Sequence, residues 1–203
     1  STETGKMLME QAAGQVKKLS LELGGHAPLI VFEDADFEMA IQGALNSKFR
    51  CGGQSCIASN RLYVQDSIYD KFVARFSEEV AKIKTGHGLQ EGIKVGPVID
   101  DSGFAEIFEQ IQDATAKGAK LVVGGKPVVG LKGNFLEPAV LTEVNEDMKI
   151  MSEETFGPVA PIIRFKDEQE VIASANNTPF GLASYIFSEN LDRIIREAEQ
   201  LDY

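Results

Sequence analysis

Cysteine and histidine are scarce in this chain. Its 203 residues hold two cysteines, Cys51 and Cys56, and two histidines, His26 and His87. Two cysteines do not make a disulfide framework, so a reducing, cytoplasmic setting is expected. Two histidines far apart in sequence, with no cluster at ligand spacing, give no reason to expect a metal. Positive charge is also in deficit. The 20 Lys and Arg stand against 31 Asp and Glu, a net charge of −11. Nucleic acid and anionic membrane are therefore not expected partners, because both are held by basic patches. No apolar run approaches the ~20 residues of a membrane span, and no signal-peptide pattern opens the chain. What remains suffices for a packed core: 43% of residues are hydrophobic, in a length that suits one sizeable domain or somewhat more.

Both cysteines fall in one stretch, Phe49-Arg50-Cys51-Gly52-Gly53-Gln54-Ser55-Cys56-Ile57-Ala58-Ser59-Asn60-Arg61. It follows a helical pattern and precedes a strand pattern, so it reads as a loop. The Gly-Gly pair frees the backbone, and an arginine stands near each end. A thiolate in such a place can attack electrophilic carbon, because nearby positive charge lowers the thiol pKa from its usual ~8.5. On these residues alone, a half-buried structural thiol is the commoner reading.

A second stretch is Leu19-Ser20-Leu21-Glu22-Leu23-Gly24-Gly25-His26-Ala27-Pro28. Residues 19–23 alternate and so predict a short strand. Glu22 would end that apolar strand, where a carboxylate is costly unless paired or functional. A salt-bridged strand-end glutamate is the competing reading.

Together these stretches resemble the aldehyde dehydrogenase superfamily. Leu21-Glu22-Leu23-Gly24-Gly25-His26-Ala27-Pro28 is similar to its glutamate motif, with His26 where a lysine is usual. Gly53-Gln54-Ser55-Cys56 is similar to its cysteine motif. Ser1-Thr2-Glu3-Thr4-Gly5 is similar to its cofactor loop without the leading glycine, and Glu153-Glu154-Thr155-Phe156-Gly157-Pro158 to a further cofactor motif. The motifs occur in the family's order over nearly the whole chain. Within the family the resemblance is nearest to succinate-semialdehyde dehydrogenases.

The resemblance implies an oxidoreductase that uses NAD or NADP to turn an aldehyde, such as succinate semialdehyde, into its acid. Cys56 would be the nucleophile, forming a thiohemiacetal and then a thioester. Glu22 would be the base that activates the hydrolytic water, with burial at the strand end raising its pKa toward the working pH. The Cys56 backbone N–H would be one oxyanion donor. The family's other donor, an asparagine side chain, is expected upstream of Ser1. Glu154 would hold the nicotinamide ribose hydroxyls, Phe156 would lie near the nicotinamide, and Ser1 would contact phosphate at a helix N-terminus. Arg50 would grip a substrate carboxylate bidentately while the aldehyde end reaches Cys56. The competing readings are an exposed acid for Glu154, a core aromatic for Phe156 and a helix-capping cation for Arg50. Arg61 reads as structural. A Cys51–Cys56 disulfide is sterically conceivable and would silence the thiol.

The resemblance also implies a segment of a longer, homo-oligomeric protein. Residues 1–23 would be the tail end of a cofactor-binding domain, and 24–203 a C-terminally truncated catalytic domain. As an isolated segment it would be inactive in hydride transfer. A dehydrogenase for neutral small aldehydes and a non-catalytic structural module remain as alternatives.

Elsewhere, helices are expected at 7–16, from Asp36 to Phe49, at 68–83, 104–114, 168–175 and 191–201. Strands are expected at 28–32, 61–65, 121–123, 137–143, 161–165 and 183–187. This alternation predicts an α/β fold, a largely parallel, Rossmann-like sheet with helices on both faces.

Overall fold

A computed structural model describes all residues, Ser1–Tyr203. Its centre is a six-stranded sheet in the order β3-β4-β5-β2-β1-β6. The strands are β1 (Ala27–Val31), β2 (Ser59–Gln65), β3 (Lys120–Val123), β4 (Ala139–Thr142), β5 (Val159–Phe165) and β6 (Tyr185–Phe187). All neighbouring pairs are parallel except β3 with β4, which is antiparallel. The helices are α1 (Thr2–Ala13), α2 (Phe37–Phe49), α3 (Asp66–Val80), α4 (Asp101–Ala116), α5 (Lys149–Ser152), α6 (Glu168–Asn176) and α7 (Leu191–Gln200).

Side-chain alternation along the strands builds two cores. Leu29, Val31, Leu62, Val64 and Ile162 face α2 and α3. Ile30, Phe32, Tyr63, Val159 and Phe165 face α4, α5 and α6. Both faces are covered, so β1 is buried throughout and reads as an unbroken apolar run. Helix starts follow local chemistry: Asp36, Asp100, Asp167 and Asn190 each accept a backbone N–H from the first turn of α2, α4, α6 and α7.

The strand expected at 19–23 is not there. Residues 17–26 have no regular structure. Alternation provides an apolar face, but a strand also needs a hydrogen-bonding neighbour, and no strand of the sheet pairs with this stretch.

The register puts the amino ends of four adjacent strands side by side. Ala27 pairs with Ser59, Leu62 with Ile162, and Leu29 with Tyr185. The segments entering β1, β2, β5 and β6 therefore meet at one edge, and three of them carry the motifs around Glu22, Cys56 and Glu154. This is the opposite edge from the carboxyl ends at which open α/β sheets usually bind ligands.

Candidate active site

The cysteine loop leaves α2 through three consecutive left-handed residues, Cys51 (φ 53°), Gly52 (φ 66°) and Gly53 (φ 73°). Gly53 is needed for space as well: a Cβ there would stand 2.1 Å from the Gly157 carbonyl oxygen. Gln54 staples the loop to residues 97–99, its Nε2 donating to Pro97 O (3.1 Å) and its Oε1 accepting from Ile99 N–H (2.9 Å). Cys56 then sits in a tight turn closed by Ala58 N–H donating to Ser55 O at 3.0 Å. The Tyr185 hydroxyl donates to Ile57 O at 2.7 Å. The Cys56 thiol is partly buried, and both cysteines are free. The Cys56 amide donates to no group in the chain.

The glutamate and cysteine segments touch at Gly25 and Cys56. A Cβ on Gly25 would fall 1.9 Å from the Cys56 carbonyl oxygen. Glu22, three residues earlier, is exposed rather than buried. The burial expected at a strand end is absent because the strand is absent. Glu22 lines a shallow groove of about 240 Å³ with Thr2, Gly24, Phe180 and Leu182.

Glu154 joins the same cluster. Its Oε1 accepts the Gly25 N–H at 3.0 Å, and a Cβ on Gly24 would lie 2.6 Å from its Oε2. Helix α4 fixes this segment from below. Gln110 Nε2 donates to Glu154 O, and the Thr155 hydroxyl donates to Gln110 Oε1. Burial raises the Glu154 carboxyl above its ordinary pKa, while the Gly25 N–H and then Lys48 draw it down. Phe156 is 43% exposed, not a core aromatic. Ser1 caps α1, accepting the Thr4 N–H at 3.3 Å.

The half-buried Glu154 carboxylate thus packs on Gly24, which lines one groove with Thr2 at the amino end of α1, and Phe156 exposes a ring two residues further along the chain. Such a set fits a nicotinamide nucleotide: a carboxylate for sugar hydroxyls, a flat apolar surface for the base, and backbone N–H groups for phosphate.

Arg50 is exposed, and its side chain forms no hydrogen bond or ion pair, while its backbone N–H caps α2 by donating to Asn46 O. It lines the largest cavity, about 510 Å³ between α2 and α3, with Asn46, Glu79, Lys82 and Lys94. That cavity contains neither Cys56 nor Glu22, so size alone does not mark the chemistry. Arg50 is nonetheless near the loop. The Tyr185 phenol is pushed up by burial, pulled down by Arg50 and pushed up by Cys56, so both groups lie within electrostatic reach of it.

The burial of Lys48 and of His26 carries no signal in the sequence. Lys48, in the last turn of α2, is fully buried, and its Nζ donates to Asn60 Oδ1 at 2.7 Å. Burial pulls it down to about 7, opposed by Glu154. His26 is also fully buried. Its Nε2 faces Ile150 O at 3.2 Å and donates to it as N–H, while Nδ1 has no partner. Burial, then the charge of Arg61, hold its pKa down to about 3, so the ring is neutral. Arg61 serves structure: its guanidinium donates to the carbonyls of His26, Ser174 and Ala175.

The sequence profile of the aldehyde dehydrogenase family matches residues 1–203. The chain is 52% identical, over its whole length, to a glutarate-semialdehyde dehydrogenase of Pseudomonas putida, and covers 42% of that protein. It is likewise 52% identical over its whole length to an NADP(+) succinate-semialdehyde dehydrogenase of Escherichia coli, again covering 42%. The crystal structure of a succinate-semialdehyde dehydrogenase from Burkholderia pseudomallei superposes with a TM-score of 0.97 at 47% identity, covering all of this chain and 42% of that one. The chain thus spans less than half the length of these relatives.

Proposed function

The chain belongs to the aldehyde dehydrogenase family, and from that premise we propose that it serves the NAD- or NADP-dependent oxidation of a carboxylate-bearing aldehyde, such as succinate semialdehyde, to the acid. The observation that carries this reading is the packing of Gly25 on Cys56. It makes neighbours of the segment bearing a candidate base and the turn bearing a candidate nucleophile. Residues 1–23 are assigned to cofactor binding and 24–203 to the thiol chemistry. Hydride transfer is assigned to the full-length protein.

Cys56 attacks the aldehyde carbon as its thiolate, forming the C–S bond while the carbonyl π electrons move to oxygen. The unpartnered Cys56 N–H is free to donate to that oxyanion. Glu154, Phe156 and Ser1 would hold a nicotinamide nucleotide, which when bound would supply the acceptor for the hydride of the thiohemiacetal carbon. Cys56 then carries the acyl group as a thioester. Glu22 takes a proton from water, the water oxygen adds to the thioester carbon, and the C–S bond breaks to release the acid. Arg50, its side chain free of any protein partner, binds the distal carboxylate. Relatives named for succinate and glutarate semialdehyde, both ω-carboxylates, support that assignment.

The test is hydride transfer by the full-length protein, followed as reduced cofactor. Cys56→Ala abolishes it with every aldehyde. Arg50→Ala loses succinate semialdehyde at least ~10-fold in kcat/KM but keeps propanal. Equal loss with both substrates would favour an enzyme for neutral aldehydes, and an active Cys56→Ala would remove the thiol mechanism.

A further inference from the structure

A lysine in the last turn of a helix ordinarily extends into water and caps the negative helix end. Lys48 does not. Its side chain is fully buried, and its ammonium has one hydrogen-bond partner, Asn60 Oδ1. An ammonium carries three donors, and burying it is costly unless an opposite charge offsets the loss of water. Glu154 is the one charged group that favours the Lys48 cation. The two form no ion pair, so the attraction acts through the protein between them, where it is screened less than at the surface.

The surroundings make this arrangement more than a packing accident. The Lys48 carbonyl lies 3.1 Å from where a Gly53 Cβ would be, and that same Cβ would meet Gly157 O. Lys48 is thus wedged where the cysteine loop and the Glu154 segment cross. Asn60, its anchor, stands at the start of β2, four residues after Cys56. Two other ionisable groups lie near: His26, held neutral, and Arg61, whose guanidinium is occupied by main-chain carbonyls. Neither replaces Lys48 as the counter-charge of Glu154.

We propose that Lys48 is a positioning residue for cofactor binding, its buried ammonium keeping the Glu154 carboxylate ionised and in place against Gly24 and Gly25. Half-burial works against the ionised carboxyl, and a protonated one loses acceptor capacity for two hydroxyls. Lys48 restores the ionised form from beneath without occupying the oxygens that a sugar would use. The inference rests on the assignment of Glu154 to cofactor binding.

The experiment is calorimetric titration of the full-length protein with NAD+ and NADP+, below pH 7, where Lys48 keeps its proton. Lys48→Met, Glu154→Gln and the double variant are compared. Lys48→Met is expected to weaken binding ~10-fold, and the double variant to bind no worse than Glu154→Gln alone, because the two act as one unit. KM for cofactor rises while kcat at saturation holds, and Cys56 is alkylated by iodoacetamide at the wild-type rate. Additive losses, or wild-type affinity in Lys48→Met, would overturn the proposal. Should Lys48→Met not fold, Asn60→Ala removes the ammonium's anchor instead. Its binding loss must vanish in the Glu154→Gln background, and an unchanged affinity overturns the proposal equally. If Glu154→Gln alone binds as wild type does, the cofactor role of Glu154 falls and Lys48's role falls with it. If Glu154→Gln weakens binding and Lys48→Met does not, the Lys48 proposal alone fails.

Discussion

Gly25 and the Cys56 carbonyl oxygen share a space that holds no further atom: a Cβ on Gly25 would stand 1.9 Å from that oxygen. The neighbour is backbone, so no rotamer change can relieve the overlap. Gly25→Ala must push the cysteine turn aside. Displacement of a reacting group by ~1 Å can cost about 100-fold in rate, and a loss of that order in kcat/KM is expected. The rate of Cys56 alkylation should change in parallel. Wild-type activity in Gly25→Ala would mean that the two segments are not packed this way.

Cys51 stands in the left-handed region with φ 53° and an exposed side chain. A non-glycine residue there stores roughly 1 kcal/mol or more of strain, less for asparagine than for most. Cys51→Asn should therefore raise the urea midpoint, by about 0.5–1 kcal/mol in stability, and leave Cys56 as the one reactive thiol. A lowered midpoint would show that the Cys51 side chain holds the loop by some other means.

His26 gives the protein an acid-sensitive element. Its folded pKa is near 3 against an ordinary 6.5. Between those values the unfolded chain binds a proton that the folded chain refuses. Stability is therefore fully present above 6.5 and falls as pH drops toward 3, with a slope of up to ~1.4 kcal/mol per pH unit. His26→Gln, which keeps a donor for Ile150 O, should flatten this acid limb in urea unfolding at a series of pH values. An unchanged slope would place the titration elsewhere.

Glu197 behaves in the opposite sense. It is fully buried on α7, and neither carboxylate oxygen has a partner. Burial, then the charge of Glu168, raise it from 4.5 to about 7. The folded chain holds this proton more tightly than the unfolded chain. The stability it contributes is present below 4.5 and is lost as pH rises through 7. Glu197→Gln should raise Tm above pH 7, by about 2–4 °C for each kcal/mol recovered, and change it little below 4.5. Equal shifts at both ends would point to packing rather than charge.

Much of the framework is written locally. The unbroken apolar run 28–32, the helical spacing of Phe37, Ile41 and Ala44, and the acid Asp36 at the helix start each act within a few neighbours. The elements they predict are present within a few residues of the expected ends. The alternation of strands and helices likewise led to a largely parallel sheet covered on both faces. The residue types of the candidate site, Cys56, Glu22 and Glu154, were also legible, because their motifs are short and contiguous.

Long-range packing decided the rest. Residues 19–23 alternate as a strand does, but no partner strand is offered, and Glu22 is left exposed. Lys48 looks like any cation at a helix end, and only the crossing of α2 with β2 and the Glu154 segment buries it. The meeting of three motifs at the amino edge of the sheet follows from strand order, which brings β5, β2, β1 and β6 together. Local sequence determines which residues can form a strand or carry a thiol. Strand order and burial depend on contacts between residues far apart in the chain, and those exist only once the sheet has closed.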